Sequence, residues 1–455
     1  MAPTTPILAE HEIAWDVEEE HLREAEFLFE VREAVLDTPH YDLAELEAGP
    51  EQRLLAHVDA LVIGGPLVAD RLLFATIDDE DEIEDYEAIA AASMAVLAQP
   101  HTDRHERLLA MLAQGHDTQL HGVSRALQLT DSTWLESRLR RATADAAALS
   151  APRFLTTCLT ALAARGADLA EGLHPFLRST DPAVARAAAT LARFNRDRTS
   201  LELLGPLAQA ADPQLRRTTI ETALYRLMPG AWESAVYWAF MAGESDFRRD
   251  ALVWVACLGD PRVHERLLAY ADDPVHQSDA LWAMGFTGRV AAVERCIPLL
   301  ANENIGPLAA EVVCAITGLA SDAEGLWHPP SSDPEPEQTL PELADDDLDA
   351  DLVPKAEASL PVPAPDEIAA WWQENRSNFD PGLRYIAGRP FDRDALVDGL
   401  WNAPMRRRHV LAFELGVRSG GAFVDTRAMC ATQKLQLGAL DNVGRIDCQQ
   451  GLSAR

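Results

Sequence analysis

The two stretches "FLRSTDPAVARAAATLARF" (residues 176–194) and "LAQAADPQLRRTTIETALYRL" (residues 207–227) decide the fold, because the second largely repeats the first. Both place an Asp-Pro pair before an apolar run, at residues 181–182 and 212–213. Asp is a preferred N-cap residue, and Pro suits the first helical turn because its missing N–H would have no partner there. Each stretch therefore predicts the start of a helix, and the second start lies 31 residues after the first.

The same period extends well beyond these two stretches. Polar or small residues that are able to cap a helix recur at intervals of 27 to 34 residues, namely at Asp85, Asp117, Ser150, Asp181, Asp212, Asp246, Asp273 and Asn304. A repeat of this length is typical of stacked helical units, each of which needs its neighbours to bury its apolar stripe. We predict an all-α fold, a right-handed α-solenoid of helix pairs over residues 85–321.

The repeats resemble HEAT repeats, in particular the short variety found in phycobiliprotein lyases. The best matches are "DPAVARAAATLARF", "DPQLRRTTIETALYRL" and "DDPVHQSDALWAMGFTG". The HEAT pattern favours an Arg soon after Asp-Pro that bridges to the neighbouring repeat; Arg186 and Arg216 fit this pattern, whereas His276 and Gln277 do not. The resemblance implies an architecture and no particular activity.

Residues 1–84 predict an amino-terminal helical cap on this array. Their order is distinctive, with an acidic helix followed by "PHYDLAELE" and "RLLAHVDALVIGG". This order resembles the start of an uncharacterised bacterial family of HEAT-containing proteins that are often encoded near type VI secretion genes. The resemblance implies a link to that secretion system, and it supplies no catalytic residue.

Residues 322–366 differ from the repeats in composition, with 13 acidic residues, one Lys and nine Pro. Such a segment has too little apolar surface to order itself, so we predict an acidic Pro-rich linker. Residues 367–455 then predict a carboxy-terminal helical extension. Within it, "MRRRHV" at residues 405–410 suggests a HEAT-type arginine that pairs within the repeats and has exposed neighbours, or alternatively a group that binds an anionic ligand or the chain's own acidic linker.

The overall charge limits the choice of partners. With 39 Lys and Arg against 73 Asp and Glu, the formal net charge is -34. An acidic surface repels phosphate backbones, so we expect a protein partner with a basic surface rather than a nucleic acid. We find neither a signal peptide nor an apolar run long enough to span a membrane, and we expect a cytoplasmic location. The oligomeric state is left open.

Catalytic and cofactor motifs are missing from the sequence. It contains no GxSxG, no GxxxxGK[ST] and no GxGxxG pattern, so we predict a protein that is not an enzyme and binds no cofactor. His101 and His105, four residues apart, are weak candidates for metal ligands. His116 and His121 follow one repeat later, and exposed side chains at a helix start are the simpler interpretation of the first pair.

The leading functional hypothesis is a non-enzymatic scaffold or adaptor that binds proteins along the array. The alternative is a lyase-like or chaperone-like module that cradles a small molecule. Tryptophans in consecutive repeats either fill the core or line a recognition surface, since Trp is common at binding hot spots. The candidate protein-binding residues are Arg217, Glu221, Trp238, Arg249, Trp254, Gln277 and Glu311.

Overall fold

The computed structural model describes residues 10–78, 86–146, 151–243, 247–329, 356–444 and 446–452. The described residues are predominantly helical, which confirms the all-α prediction. The chain forms two compact units, one made of residues 1–231 and 400–444 and the other of residues 232–399 and 445–455. This division does not follow the four sequence segments, because residues 400–444 belong with the amino-terminal part of the chain.

The amino-terminal unit contains long helices joined by short helical turns. Its helices up to residue 231 are α1 Trp15–Val35, α2 Leu43–Leu46, α3 Gln52–Ile63, α4 Gly65–Val68, α5 Phe74–Ile77, α6 Tyr86–Ala98, α7 Thr102–Met111, α8 Asp117–Leu129, α9 Thr133–Ala146, α10 Pro152–Ala163, α11 His174–Leu177, α12 Pro182–Leu191, α13 Arg198–Glu202, α14 Leu204–Leu207 and α15 Pro213–Tyr225. Single π-helical turns, Glu47–Glu51 and Ala69–Leu73, lead into α3 and α5.

Among the described residues, the chain continues with eight helices and a short hairpin that lie wholly or mostly in the second unit. The helices are α16 Ala231–Phe240, α17 Arg248–Leu258, α18 Pro261–Tyr270, α19 Gln277–Met284, α20 Val290–Cys296, α21 Gly306–Thr317, α22 Pro365–Asn375 and α23 Arg393–Asn402. Strands β1 (Tyr385–Ile386) and β2 (Arg389–Pro390) pair antiparallel, with Tyr385 opposite Pro390. Two further helices, α24 (Met405–Ser419) and α25 (Cys430–Ala439), belong to the amino-terminal unit.

Alternate helices contact one another along the chain. In the amino-terminal unit α6 packs on α8, α8 on α10, α10 on α12 and α12 on α15, and in the second unit α17 packs on α19 and α19 on α21. Small residues allow this close approach. A Cβ atom at Gly122 on α8 would lie 2.7 Å from the carbonyl oxygen of Tyr86 at the start of α6. The core of the amino-terminal unit is formed where these apolar faces meet.

The predicted helix starts are confirmed at the two stretches that predict the fold. Asp181 accepts hydrogen bonds from the backbone N–H groups of Ala183 and Val184 at 2.9 and 3.2 Å, and Asp212 accepts one from Leu215 at 2.6 Å. Asp-Pro therefore begins α12 and α15 as N-cap and first helical residue.

Other predicted helix starts are wrong. Asp117 is the first residue of α8, whose N-cap is His116. Helix α19 begins at Gln277, beyond Asp273, and α21 begins at Gly306, beyond Asn304. A turn separates Asp273 from α19, and Asn304 likewise lies in the turn before α21. Asp260, outside the predicted series, caps α18 by accepting from Val263 N–H at 3.0 Å. The remaining predicted caps, Asp85, Ser150 and Asp246, lie outside the described residues.

The arginine pattern also needs correction. Arg216 donates to the carbonyl oxygen of Ala210, six residues earlier, at 2.9 Å. Arg248 makes the same contact with Ala242 at 2.8 Å, and Gln277 with Ala271 at 3.0 Å. Gln277 therefore makes the contact that Arg makes at the equivalent positions, although the sequence pattern excluded it. Its side-chain amide N–H satisfies a helix-terminal carbonyl group as a guanidinium does. Arg186, which fits the pattern, is an exposed residue of α12.

The predicted linker, residues 322–366, is described only at its two ends. Its central part, residues 330–355, lies outside the described residues. At the ends, His328 N–H donates to Val362 and Ala364 N–H donates to Leu326, each at 2.9 Å, so the two ends pair antiparallel. Both ends belong to the second unit. The described ends of the predicted linker are therefore part of the hydrogen-bonded structure of this unit.

A buried ionic cluster joins the carboxy-terminal helices to α1 in the amino-terminal unit. Arg32 is fully buried, donates from Nε to Glu51 at 3.1 Å and reaches the carbonyl oxygen of Ala428 from Nη2 at 2.9 Å. The other oxygen of Glu51 accepts the backbone N–H of Cys430 at 2.6 Å. Paired charges and satisfied backbone groups make this burial tolerable, and they hold the start of α25 against α1.

Among the described residues, no single helix is long and apolar enough to cross a membrane. Taken together, the helical stretches Leu43–Ile63 and Gly65–Ile77 have the length and apolar composition of a membrane span, but they meet at a bend of 107°.

Candidate interaction surface

The predicted metal candidates lie at the start of α7 and have separate surroundings. His101 is exposed at the N-cap position, while the half-buried ring of His105 lies 5.0 Å from Trp134 and its Nε2 is 3.2 Å from the carbonyl oxygen of Val96. Burial lowers the pKa of His105. His116 caps α8, and His121 stacks on Tyr86 at 4.0 Å. Within the described ranges, no group of three His, Cys, Asp or Glu side chains is arranged to hold a metal ion.

The candidates Arg217 and Glu221 lie on α15 and engage one another. Glu221 is 2.8 Å from Nη2 of Arg193 on the preceding repeat and 3.9 Å from Nη1 of Arg217. The guanidinium of Arg193 also lies 5.7 Å from the ring centre of Tyr225. The half-buried pair of Arg193 and Glu221 connects the turn after α12 with α15, so a partner would have to compete with it.

The remaining charged and polar candidates lie in the second unit. Arg249 on α17 pairs with Asp279 at 3.2 Å and with Glu357 at 2.5 Å, and its guanidinium lies 5.4 Å from the ring centre of Trp282. Gln277 is held by the Ala271 carbonyl. Glu311 is a half-buried residue of α21. The structure places these three residues on three different helices.

The tryptophans divide between core and surface. Trp254 is only 3% exposed and Trp282 only 8%, so both fill the core of the second unit. The prediction that Trp254 binds a partner is therefore wrong for this structure, because its ring has almost no accessible face. Trp238 is half-buried, between Tyr237 at 5.5 Å and Phe247 at 5.0 Å. The sequence alone does not separate these cases, because both rings occur in apolar helices.

The three arginines of "MRRRHV" are all buried, whereas the simpler interpretation of that motif predicted exposed neighbours around a single paired arginine. Arg406, Arg407 and Arg408 are at most 8% exposed. Arg408 donates from Nε to the carbonyl oxygen of Leu400 at 2.6 Å, and burial lowers its pKa to about 10. His409 reaches Thr426 and the carbonyl oxygen of Leu36 at 2.6 and 2.9 Å. These contacts hold α24 within its unit.

A cluster of partly exposed aromatic side chains in the second unit was not predicted from the sequence. We call it the aromatic surface and define it by six residues of α16, α18 and the turns that follow these two helices: Tyr237, Phe240, Met241, Arg266, Tyr270 and His276. Tyr237 and Met241 are 51% and 63% exposed, and they are informative because they occur together with other aromatic side chains rather than singly. Met241 directly follows α16 and donates its backbone N–H to the Tyr237 carbonyl oxygen at 2.8 Å, so the two residues lie on one face of this helix end.

Direct side-chain contacts connect five members of the aromatic surface, while the ring of Tyr237 meets Trp238 edge to face. Arg266 lies over the ring of Phe240 at 4.3 Å and donates to the sulfur of Met241 at 3.0 Å. Phe240 meets Tyr270 edge to face at 5.7 Å, and Tyr270 stacks on His276 at 4.9 Å. Aromatic rings, Met and Arg are the residue types that are enriched where proteins bind one another. The contacts hold these side chains in place before any partner arrives, which lowers the entropy cost of binding.

Exposed carboxylates lie near the aromatic surface. Glu233 precedes Tyr237 by one turn of α16, Glu265 is on α18, and Asp273 accepts from the backbone N–H of Val275 at 3.1 Å. Asp272 pairs with Arg295. The surface is therefore apolar and aromatic at its centre, with carboxylates beside it and with Arg248 donating to the Tyr270 hydroxyl. The i, i+4, i+8 spacing of Glu233, Tyr237 and Met241 is the sequence signal that marks this face.

Comparison with known proteins gives no functional assignment. No family model and no curated protein matches the chain. Among solved structures, an engineered protein is 16% identical, with the alignment covering 64% of this chain and 88% of that chain at a TM-score of 0.29. A similarity at that level carries no argument about fold or function.

Proposed function

We propose that this protein is a non-enzymatic scaffold that binds a basic protein partner through the aromatic surface of its second unit. The aromatic surface carries the proposal, since it combines exposed Tyr237 and Met241 with aromatic and Arg neighbours that are already positioned. Its acidic surroundings and the net charge of -34 favour a partner with Lys and Arg around an apolar contact residue.

We infer that the helices form HEAT-like repeats that present this surface. Hydrogen bonds between residues 33 positions apart support this arrangement, since Thr222 donates to the carbonyl oxygen of Ala189 at 3.0 Å and Arg226 to that of Arg193 at 3.3 Å. The recurring contact six residues back, made by Arg216, Arg248 and Gln277, supports it as well. By the resemblance of the amino-terminal region, we further propose a partner among type VI secretion components.

Site-specific crosslinking tests the surface and identifies the partner together. A photoreactive phenylalanine analogue in place of Tyr237 should capture one predominant basic protein in the native host. The same analogue in place of Phe27, which is 54% exposed on α1 of the other unit, serves as the control and should not capture it. Equal capture from both positions would place the binding site elsewhere.

Binding of the purified partner then provides the quantitative test. Tyr237→Ala and Met241→Ala should each weaken binding more than tenfold, while Phe27→Ala should leave it unchanged. Normal binding by folded Tyr237 and Met241 variants would contradict the proposal. The small-molecule alternative stays a prediction, because no feature of the described residues favours it.

A further inference from the structure

Met241 is the most exposed methionine in the described part of the chain. It is 63% exposed at the end of α16, where solvent reaches its side chain. The other methionines that the structure describes are buried or half-buried, namely Met94, Met111, Met228, Met284, Met405 and Met429. Because oxidation of methionine requires that an oxidant reach the sulfur atom, Met241 should react before the others.

Arg266 contacts the sulfur of Met241 from one side. Its Nη2 donates to this sulfur at 3.0 Å, and its guanidinium lies over the ring of Phe240, 4.3 Å from the ring centre. A thioether sulfur carries two lone pairs and is a weak acceptor, so the N–H group of Arg266 engages one of them. The exposure of Met241 leaves the second lone pair accessible to a reagent in solution.

We propose that Met241 is a site of reversible oxidation by peroxide, and that the oxygen is added on the face of the sulfur opposite Arg266. Oxidation makes the centre of the aromatic surface polar and thereby weakens partner binding. The effect on binding rests on the proposed function of that surface, whereas the site and the stereochemistry of oxidation do not.

The reaction requires a peroxide and no other reagent. The second lone pair of the sulfur attacks one oxygen of hydrogen peroxide, and a sulfur–oxygen bond forms as the oxygen–oxygen bond breaks. The leaving hydroxide takes the proton from the oxygen now bound to sulfur, which gives the sulfoxide and water. The sulfur loses two electrons and the peroxide gains them. A thiol-dependent methionine sulfoxide reductase restores the thioether, as two thiols become a disulfide and the oxygen leaves as water.

The position of Arg266 predicts which sulfoxide forms. The sulfur of a sulfoxide is a chiral centre, so attack at each of the two lone pairs gives a different epimer. Since Arg266 covers one lone pair, the epimer that arises from attack at the other should predominate. An exposed contact between a cation and an aromatic ring shifts an equilibrium by about two- to fivefold, and we expect an excess of about that size. A methionine without such a neighbour should give nearly equal amounts.

Oxidation should disturb partner binding because Met241 and Tyr237 share one exposed face. A partner that covers both side chains has to bury the sulfoxide oxygen. An apolar contact residue offers no hydrogen-bond donor to that oxygen, and a polar group buried without a donor weakens binding by about tenfold.

Treatment of the full-length protein with limiting hydrogen peroxide tests the site in the absence of a partner. Trypsin then releases residues 227–248 as one peptide, which carries the half-buried Met228 together with Met241. Fragment masses should place the first oxygen on Met241. Digestion of the peptide with each of the two stereospecific sulfoxide reductases should reveal one epimer in excess. In Arg266→Ala, Met241 should still be oxidised, but the excess should disappear.

The outcomes that would overturn the site are oxidation of Met228 before Met241, equal amounts of the two epimers in the unchanged protein, and an excess that persists in Arg266→Ala. The first two are measured on the unchanged chain, so they decide the question even if the variant fails to fold.

The effect on binding is measured with the purified partner after catalase has removed the remaining peroxide. Oxidation should weaken binding about tenfold in the unchanged chain. Met241→Leu, which has no sulfur at this position, should bind equally well before and after peroxide treatment. Unaltered binding by the oxidised chain would overturn the regulatory role. Failure of the proposed function is a separate result, since it appears as normal binding by the untreated Tyr237→Ala and Met241→Ala variants.

Discussion

The ring of Tyr225 on α15 lies directly against Gly416 on α24, so that a Cβ atom at position 416 would fall 2.0 Å from the Tyr225 hydroxyl oxygen. That hydroxyl donates to the carbonyl oxygen of Ala422 at 2.8 Å, across 197 positions of sequence. Burial raises the pKa of Tyr225 to about 12. This contact holds the carboxy-terminal helix α24 in the amino-terminal unit, and only glycine allows it.

Replacing Gly416 should therefore destabilise the protein. Gly416→Ala forces the Tyr225 ring out of its position, and overpacking of this kind costs about 1–3 kcal/mol. Thermal or denaturant unfolding measures the loss. Gly438→Ala on α25 is the matched control, because nothing lies within 4 Å of a Cβ atom there. Since Ala favours helices over Gly, the control should be neutral or stabilising. Equal loss in both variants would contradict the contact.

The two confirmed N-caps should contribute measurably to stability. Asp181→Ala and Asp212→Ala each remove a carboxylate that accepts helix N–H groups, at a cost of about 0.5–2 kcal/mol each. Asp273→Ala should cost less, because Asp273 precedes a turn rather than a helix. Denaturant unfolding of the three variants compares them. A larger effect at Asp273 than at the other two would show that the helix starts are misplaced.

Breaking the buried pair of Arg32 and Glu51 should be among the most damaging single changes. Arg32→Met leaves the Glu51 carboxylate buried without its cation, and uncompensated charges of this kind cost about 3–5 kcal/mol. Backbone amides of α25 should also exchange hydrogen faster, since Glu51 holds Cys430 N–H. Arg23→Met is the control, because Arg23 and Glu20 form an exposed pair on α1. We expect the control to change stability by no more than about 0.5 kcal/mol.

His264 should make the protein less stable in mild acid. Burial lowers its pKa to about 3 from the usual 6.5, with the nearby charges of Arg384 and Arg289 acting in the same direction. Below about pH 6.5 the unfolded chain takes up a proton that the folded chain refuses, so the free energy of unfolding falls as the pH drops towards 3.

The size of this effect can be isolated with His264→Gln, which removes the titrating group. The slope of unfolding free energy against pH should be shallower in the variant, by up to about 1.4 kcal/mol per pH unit below pH 6. Urea unfolding between pH 7.5 and 5 supplies both slopes. Parallel slopes for the two proteins would mean that His264 becomes protonated in the folded state.

Salt should weaken the proposed partner complex mainly through the association rate. Charges at the edge of an interface steer the encounter and are screened by salt, whereas desolvated aromatic side chains hold the complex together. We therefore expect the association rate to fall with rising salt while the dissociation rate changes little. Stopped-flow measurements at low and high salt separate the two rates. A rate of association that is independent of salt would argue against a basic partner.

The sequence by itself determined the helical class and the exact starts of α12 and α15. Those features depend on residues close together in the chain, such as Asp181 with Ala183, where capping chemistry and apolar spacing act within one turn. The same local rules misplaced the starts of α19 and α21, because a polar residue that begins a turn resembles one that caps a helix.

Only the tertiary structure decided which side chains are available for function. Trp254 and Tyr237 both lie in apolar helices, yet Trp254 is buried and Tyr237 is exposed, because burial depends on what packs against each face. His21 meets His57 only because α1 and α3 are in contact, and α24 reaches the amino-terminal unit through contacts such as the one between Gly416 and Tyr225. Such contacts join residues far apart in the chain, and no local pattern of residues encodes them.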